Sequence, residues 1–164
     1  MLFRSPAIRE ILNKAPLATD ARALALRAFE LLGHAEAAIH NVPLDQVHFH
    51  EVGAVDAIVD ITCAAVGLTS LNADRWYCSP VNVGSGFVNC AHGRFPVPVA
   101  ATAELLKNLP TYSAHVQAEL VTPTGAALLR ALDCRFESTP VMRDRKSTRL
   151  NSSHRSLSRM PSSA

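Results

Sequence analysis

The chain has 164 residues, of which 48% are hydrophobic and 18% are charged, and its formal net charge is +2. This composition is typical of a globular domain with a real core and excludes an intrinsically disordered chain. Six Arg or Lys and one acid lie within residues 143–159. The positive net charge therefore comes from the end of the chain and gives no reason to expect a nucleic-acid partner. No apolar stretch is long enough to cross a bilayer.

The N-terminal residues lack a basic region followed by an apolar run, which is the pattern of a secretory leader. We therefore expect a cytoplasmic, reducing setting in which Cys63, Cys78, Cys90 and Cys134 are free thiols. Each cysteine is interpreted as a small buried hydrophobic residue. Cys90 is also a candidate site residue, because it stands two residues before His92.

Proline and hydrophobic periodicity divide the chain into elements. Pro6 suits the first turn of a short helix, Pro16 ends it, and Thr19 or Asp20 is the expected N-cap of a long one. A helical turn around Asp45 precedes the next segment. The predicted helices are 6–14, 20–39, 54–71, 99–107 and 122–132. The predicted strands are 75–83, 87–90, 111–113 and 120–121, and Pro80 breaks the first of them or places it at a sheet edge. Residues 91–98 are predicted to be a loop. This order predicts an α/β (α+β) single domain with helices packed on a small mixed sheet.

Residues 47–60, VHFHEVGAVDAIVD, hold two of the chain's seven histidines and three of its fourteen acids. In an extended segment His48 and His50 point the same way. Glu51 follows them, and Asp56 and Asp60 lie one turn apart on the predicted helix. Imidazole and carboxylate ligands suit a divalent metal such as nickel or zinc, so these five residues are candidate ligands. The alternative is a set of ordinary surface or hydrogen-bonded histidines followed by acids at a helix start.

Two further stretches have features of anion sites. In the first, Gly84 and Gly86 allow backbone N–H groups to converge on an anion, and His92 and Arg94 follow across the next strand. The alternative is a plain tight turn.

The second stretch begins at Thr122, which can cap a helix whose first position suits proline. The N–H groups near Thr124 and Gly125 would be available to phosphate or carboxylate. Ordinary capping is the alternative. Glu119 lies just upstream, where it could face the same site.

The segment 47–60 resembles the signature of the LarC family of nickel-insertion proteins. Three more stretches resemble the same family in order and spacing, so the resemblance covers roughly residues 5–136. They are 79–86 (SPVNVGSG), 91–98 (AHGRFPVP) with 101–106 (ATAELL), and 119–129 (ELVTPTGAALL).

The resemblance implies that nickel is inserted into a pyridinium bis-thiocarboxylate mononucleotide, forming one carbon–nickel and two sulfur–nickel bonds. It implies a nickel chelatase of the lyase class that serves lactate racemase maturation. It also implies CTP and a divalent metal as cofactors of the full-length protein, at a site outside these residues. The implied partners are the mononucleotide, the apo-racemase or the cofactor-synthesis enzymes, and further copies of the chain, with no nucleic acid and no membrane. It assigns no catalytic residue.

Residues 144–164 are rich in serine and arginine and have little apolar content, which predicts a foreign, disordered tail. The domain is then 1–143, and it resembles a central part of the family's longer chain. Two other functions stay open. One is a nickel carrier or scaffold without catalysis, and the other is a metal-dependent phosphate-ester hydrolase.

Overall fold

A computed structural model describes residues 5–47, 55–90 and 93–138. Its elements follow one another as five α-helices, one 3-10 turn and four short strands. They are α1 (Ser5–Lys14), α2 (Thr19–His40), the 3-10 turn (Leu44–Gln46), α3 (Val55–Ser70), β1 (Val81–Asn82), β2 (Phe87–Cys90), β3 (Gly93–Pro96), α4 (Ala100–Leu105), β4 (Thr111–Tyr112) and α5 (Pro123–Ala131). The α/β class is confirmed.

The 22-residue helix α2 is the centre of the core, since α1, α3, α4 and α5 all pack against it. Its buried face is made mainly of small residues, with Ala25, Ala28 and Leu32 fully buried at 0% exposure. Alanine at these positions allows neighbouring helix backbones to approach closely. The predicted long helix is confirmed, but its predicted N-cap is wrong. The cap is Ala18, which provides no side-chain hydrogen bond, and Thr19 is already helical.

Arg22 fastens the turn between α1 and α2. Its guanidinium donates to the carbonyl oxygens of Leu12 (3.2 Å), Ala15 (3.0 Å) and Leu17 (3.1 Å). Leu12 lies in the last turn of α1, where backbone carbonyls lack partners within the helix, and Ala15 and Leu17 lie in the turn that follows. The arginine therefore closes the first helical hairpin.

The strands form two separate pairs within the described residues. β1 and β4 run parallel, with Val81 opposite Thr111, whereas β2 and β3 form an antiparallel hairpin. The predicted mixed sheet is thus present as one parallel and one antiparallel pair rather than as one continuous sheet.

Three strand predictions need correction. Residues 75–83 hold only a single bridge at Tyr77 and the two residues of β1, as Pro80 had suggested. The predicted loop 91–98 contains β3, because Pro96 stands at the last paired position, where its missing N–H costs little. Residues 120–121 are not a strand. That segment is attached through one bridge between Gly84 and Glu119.

Helix α3 buries Ala57, Ile61 and Ala65 against its neighbours, whereas Val55 and Val59 are 57% and 50% exposed. The predicted helix is confirmed, but the larger part of its valine-rich stripe faces outward. Across the described parts of the chain, none of the helices combines the length and hydropathy needed to cross a lipid bilayer.

The interpretation of every cysteine as a buried small residue is wrong for Cys63, which is exposed on α3. Cys78 and Cys134 are half-buried. Burial is the main cause of the raised pKa of the Cys134 thiol, followed by the neighbouring Cys78 and Asp133.

Candidate functional site

The two acids of the predicted metal site lie in the first turns of α3. Both Asp56 and Asp60 are exposed, and one turn of helix separates them on the same face. The Asp56 carboxylate accepts the N–H of Ala57 at 2.9 Å, which satisfies one of the donors left open at a helix start. Both carboxylates therefore face solvent at the positive end of the helix.

The other three predicted ligands, His48, His50 and Glu51, lie outside the described residues. The chain before them is held in place. Val47 is buried, at 1% exposure, and donates its N–H to the carbonyl of Leu44 at 3.3 Å. Within residues 5–47, 55–90 and 93–138, no group of three or more His, Cys, Asp or Glu side chains is placed to hold a metal.

Residues 84–86, the glycine loop after β1, are held against the segment 113–120 by hydrogen bonds. Asn82 makes the central contacts, since its Oδ1 accepts the N–H groups of Gly84 (3.1 Å) and Ala114 (3.3 Å). Its Nδ2 donates to the carbonyl of Ala114 at 3.1 Å. The Ser85 N–H donates to the carbonyl of Ala118 at 3.3 Å. Two of the N–H groups expected to converge on an anion are therefore used within the protein.

Glu119 is brought against this loop by its bridge with Gly84, and it is half-buried there. The next residue continues the contact, as the Leu120 N–H donates to the carbonyl of Val83 at 3.3 Å. Sequence alone placed Glu119 near the start of α5, and the structure also places it beside the glycine loop.

The hairpin of β2 and β3 carries Arg94 on an exposed face. The carbon at the centre of its guanidinium lies 4.3 Å from the centre of the Phe87 ring, within cation–π range. Together with Gly86, Asn89 and Gln117, these two side chains line an open pocket of about 500 Å³. Among the described residues, no carboxylate lies within 4.0 Å of the Arg94 guanidinium.

Two other predicted site residues, Cys90 and His92, precede Arg94 in the sequence. Cys90 ends β2, and only its backbone is described. His92 lies outside the described residues.

At the start of α5 the Thr122 side chain caps the helix, accepting the Gly125 N–H at 3.3 Å, and Pro123 occupies the first helical turn. The capping predicted from the sequence is confirmed. Thr124 and Gly125 are half-buried. Because Pro123 has no N–H and that of Gly125 is bonded, the Thr124 N–H is the donor at this end without an acceptor among the described residues.

Phe87, Asn89 and Gln117 were missed as site residues. Phe87 and Asn89 are two apart on a strand that the sequence did predict, so their shared face was a usable signal. Gln117 lies some 30 residues further along an irregular segment, and only the contacts with the glycine loop bring it to the pocket.

Fold and site describe an α/β domain with an acidic helix start on one element and an arginine-lined pocket on another. A family model described as "Nickel insertion protein" matches residues 4–161, and the chain belongs to this family.

Curated relatives agree with this assignment. The chain is 52% identical over 131 residues to the pyridinium-3,5-bisthiocarboxylic acid mononucleotide nickel insertion protein of Thermotoga petrophila, a match covering 79% of this chain and 33% of the relative. It is 50% identical over 135 residues to a protein of the same description from Nocardioides sp., covering 82% and 34%. A putative nickel insertion protein of Maridesulfovibrio salexigens is 47% identical over 135 residues, covering 82% and 32%. The chain thus spans about a third of the length of these relatives. No solved structure matches it.

Proposed function

We propose that this chain is part of a protein that inserts nickel into pyridinium-3,5-bisthiocarboxylic acid mononucleotide. The observation that carries the proposal is the identity of 52% and 50%, over about four-fifths of the chain, to relatives whose names state this activity. Nickel is the cargo of the reaction, and the mononucleotide is the acceptor.

Nickel is bound in transit by His48, His50 and Glu51, assisted by Asp56 and Asp60. The support from the structure is the start of α3, where both aspartates face solvent directly after the histidine segment. Two like charges one turn apart repel each other, and a bound cation removes this repulsion. A transfer site should bind nickel only moderately, since the metal must leave it again.

The anionic group of the mononucleotide is held at the arginine-lined pocket. The support is the exposed Arg94 guanidinium, which has no carboxylate within 4.0 Å among the described residues and presents several N–H donors to an anion. Gly86 lines the same pocket, whereas the Gly84 N–H is bonded to Asn82. The wider set proposed for this end of the substrate is Gly84, Gly86, His92, Arg94, Thr122, Thr124 and Gly125, bordered by Cys90 and Glu119.

The finer assignments belong to the whole protein. We assign it to the lyase class as a cytoplasmic nickel chelatase that serves lactate racemase, with CTP and a divalent metal bound outside the residues described here. The glycine loop is not a Walker-type phosphate-binding loop for a nucleoside triphosphate, since no Gly-Lys-Ser/Thr follows it. Apo-racemase, cofactor-synthesis enzymes and further copies of the chain are the proposed partners.

Product analysis tests the function. The protein is incubated with the mononucleotide, nickel and CTP, and the products are separated by mass. A nickel insertion protein gives the species with one carbon–nickel and two sulfur–nickel bonds. A carrier binds nickel without this product, and a hydrolase releases phosphate from small esters without nickel transfer.

The ligand assignment has its own test. Changing His48→Ala together with His50→Ala should abolish nickel binding in calorimetry while the circular dichroism spectrum stays the same. His34→Ala, which removes an exposed histidine of α2, is the control and should bind as the parent does. In the parent, binding should weaken as pH falls below about 6.5, because protons then compete for the imidazoles. Unchanged nickel affinity in the double variant would reject the assignment.

A further inference from the structure

One face of the β2–β3 hairpin gathers the pocket residues. The antiparallel register places Asn89 opposite Arg94 and Phe87 opposite Pro96. Directly paired residues share a face, and so do residues two apart on one strand. Phe87, Asn89 and Arg94 therefore point to one side of the hairpin, and the Val88–Phe95 pair points to the other.

The segment 113–120 supplies the wall opposite this face. Gly86 packs beside Gln117, since a Cβ built on Gly86 would lie 3.8 Å from the Gln117 Cβ. The Gly86 carbonyl accepts the Val97 N–H at 3.0 Å, which continues the hairpin ladder beyond β3. The pocket is thus built from three stretches of chain that backbone hydrogen bonds hold together. Its volume of about 500 Å³ is in the range of small-molecule sites, roughly 300–1,000 Å³.

The lining combines one guanidinium, two carboxamides and one aromatic ring, and it contains no acid. Arg94 lies over the Phe87 ring, yet Phe87 remains 60% exposed. An aromatic ring left this open on a strand has surface for a second planar group. A cation over one face of the ring, with much of the side chain still exposed, matches a ligand that carries an anion next to a planar heterocycle.

We propose that this pocket recognises the pyridinium ring of the substrate, with Phe87 stacking on the ring while Arg94 holds the neighbouring anionic group. Asn89 and Gln117 then offer amide N–H donors to the acid groups on the ring. This inference rests on the proposed function, which supplies the mononucleotide, and goes beyond it by assigning ring recognition to residues outside the anion set.

Two ligands that differ in the ring make the test. Nicotinic acid mononucleotide has a pyridinium ring, one acid group, a ribose and a phosphate, whereas ribose 5-phosphate lacks the ring. Calorimetry on the purified 164-residue protein should show the mononucleotide binding on the order of tenfold more tightly, as expected for one ring stacked on an aromatic side chain. Phe87→Leu should remove most of this preference, while Phe87→Tyr should retain it.

Two variants on the same hairpin serve as controls. Phe95→Leu changes an aromatic residue on the opposite face and should leave the preference unchanged. Arg94→Ala should weaken both ligands by a similar factor, because both carry phosphate. Thermal melting of each variant checks that the hairpin is still folded.

The proposal is overturned if both ligands bind the parent equally, if neither binds, or if Phe87→Leu leaves the preference intact. The nickel insertion assay separates this outcome from failure of the proposed function. Nickel product without a Phe87-dependent ring preference rejects the ring site and leaves the function standing. A Phe87-dependent preference without nickel product rejects the function and leaves the ring site standing.

Discussion

Gly84 is the position where the structure makes the sharpest prediction about stability. Its φ is +82°, and a Cβ built there would overlap the carbonyl oxygen of Ala118 and stand 3.1 Å from the carbonyl carbon. Gly84→Ala should therefore incur two costs. A left-handed conformation costs a non-glycine residue about 1–3 kcal/mol, and a clash with a packed backbone adds about 1–3 kcal/mol. We expect a loss of about 2–6 kcal/mol of unfolding free energy.

Gly86 is a matched control, because its φ is +87° while the nearest atom to its Cβ would be 3.8 Å away. Gly86→Ala should incur only the conformational cost, about 1–3 kcal/mol. Gly67 has an ordinary helical backbone with nothing within 4 Å of its Cβ, so Gly67→Ala should stabilise by about 0.5–1 kcal/mol. Urea unfolding with the slope compared between variants measures all three free energies. If Gly84→Ala costs no more than Gly86→Ala, the close approach of Ala118 to the glycine loop is refuted.

Three further predictions concern other parts of the chain. Arg22→Ala should destabilise by at least about 1.5 kcal/mol, because it removes charged hydrogen bonds to three carbonyls; Arg27→Ala, at an exposed position of α2, is the control in urea unfolding, and equal midpoints would contradict the argument. Alkylation at pH 8 followed by peptide mass mapping should modify Cys63 before Cys134, since the raised pKa of the half-buried Cys134 thiol leaves less thiolate at a given pH; the reverse order would exclude this. Removing 144–164 should leave the melting temperature within error, although the family match extends to residue 161, and a drop of several degrees would show that these residues stabilise the domain.

Most helices could be predicted because their ends carry local signals. Pro6 and Pro16 bracket α1, and Thr122 followed by Pro123 marks the start of α5. At the start of α2 the predicted N-cap does not match the structure. Thr19 has the chemistry of a cap, but the chain enters the helix one residue earlier, and no side chain closes that end.

The strands were harder to predict because they are short, with two to four residues each, and because β1 pairs with a distant strand, Val81 opposite Thr111. Proline at 96 and 98 favoured a loop, yet Pro96 can end β3 without loss of a needed donor. Once β3 is missed, nothing in the sequence places Arg94 across from Asn89 or over Phe87. The sequence therefore predicted Gly86 and Arg94 as site residues. It missed Phe87, Asn89 and Gln117, because the contacts that assemble the pocket were not predicted.

Asn82 shows why the rest of the candidate site could not be derived locally. One side-chain amide holds the Gly84 N–H two residues away and both backbone groups of Ala114, 32 residues away. A sequence reading of Asn82 gives a polar residue before a glycine turn, which is equally compatible with an open anion-binding loop. The structure instead uses those polar groups to fix the segment that carries Gln117 against the hairpin. The hydrogen bonds of this loop therefore help to set the position of Gln117 at the pocket, which Gly86 also lines.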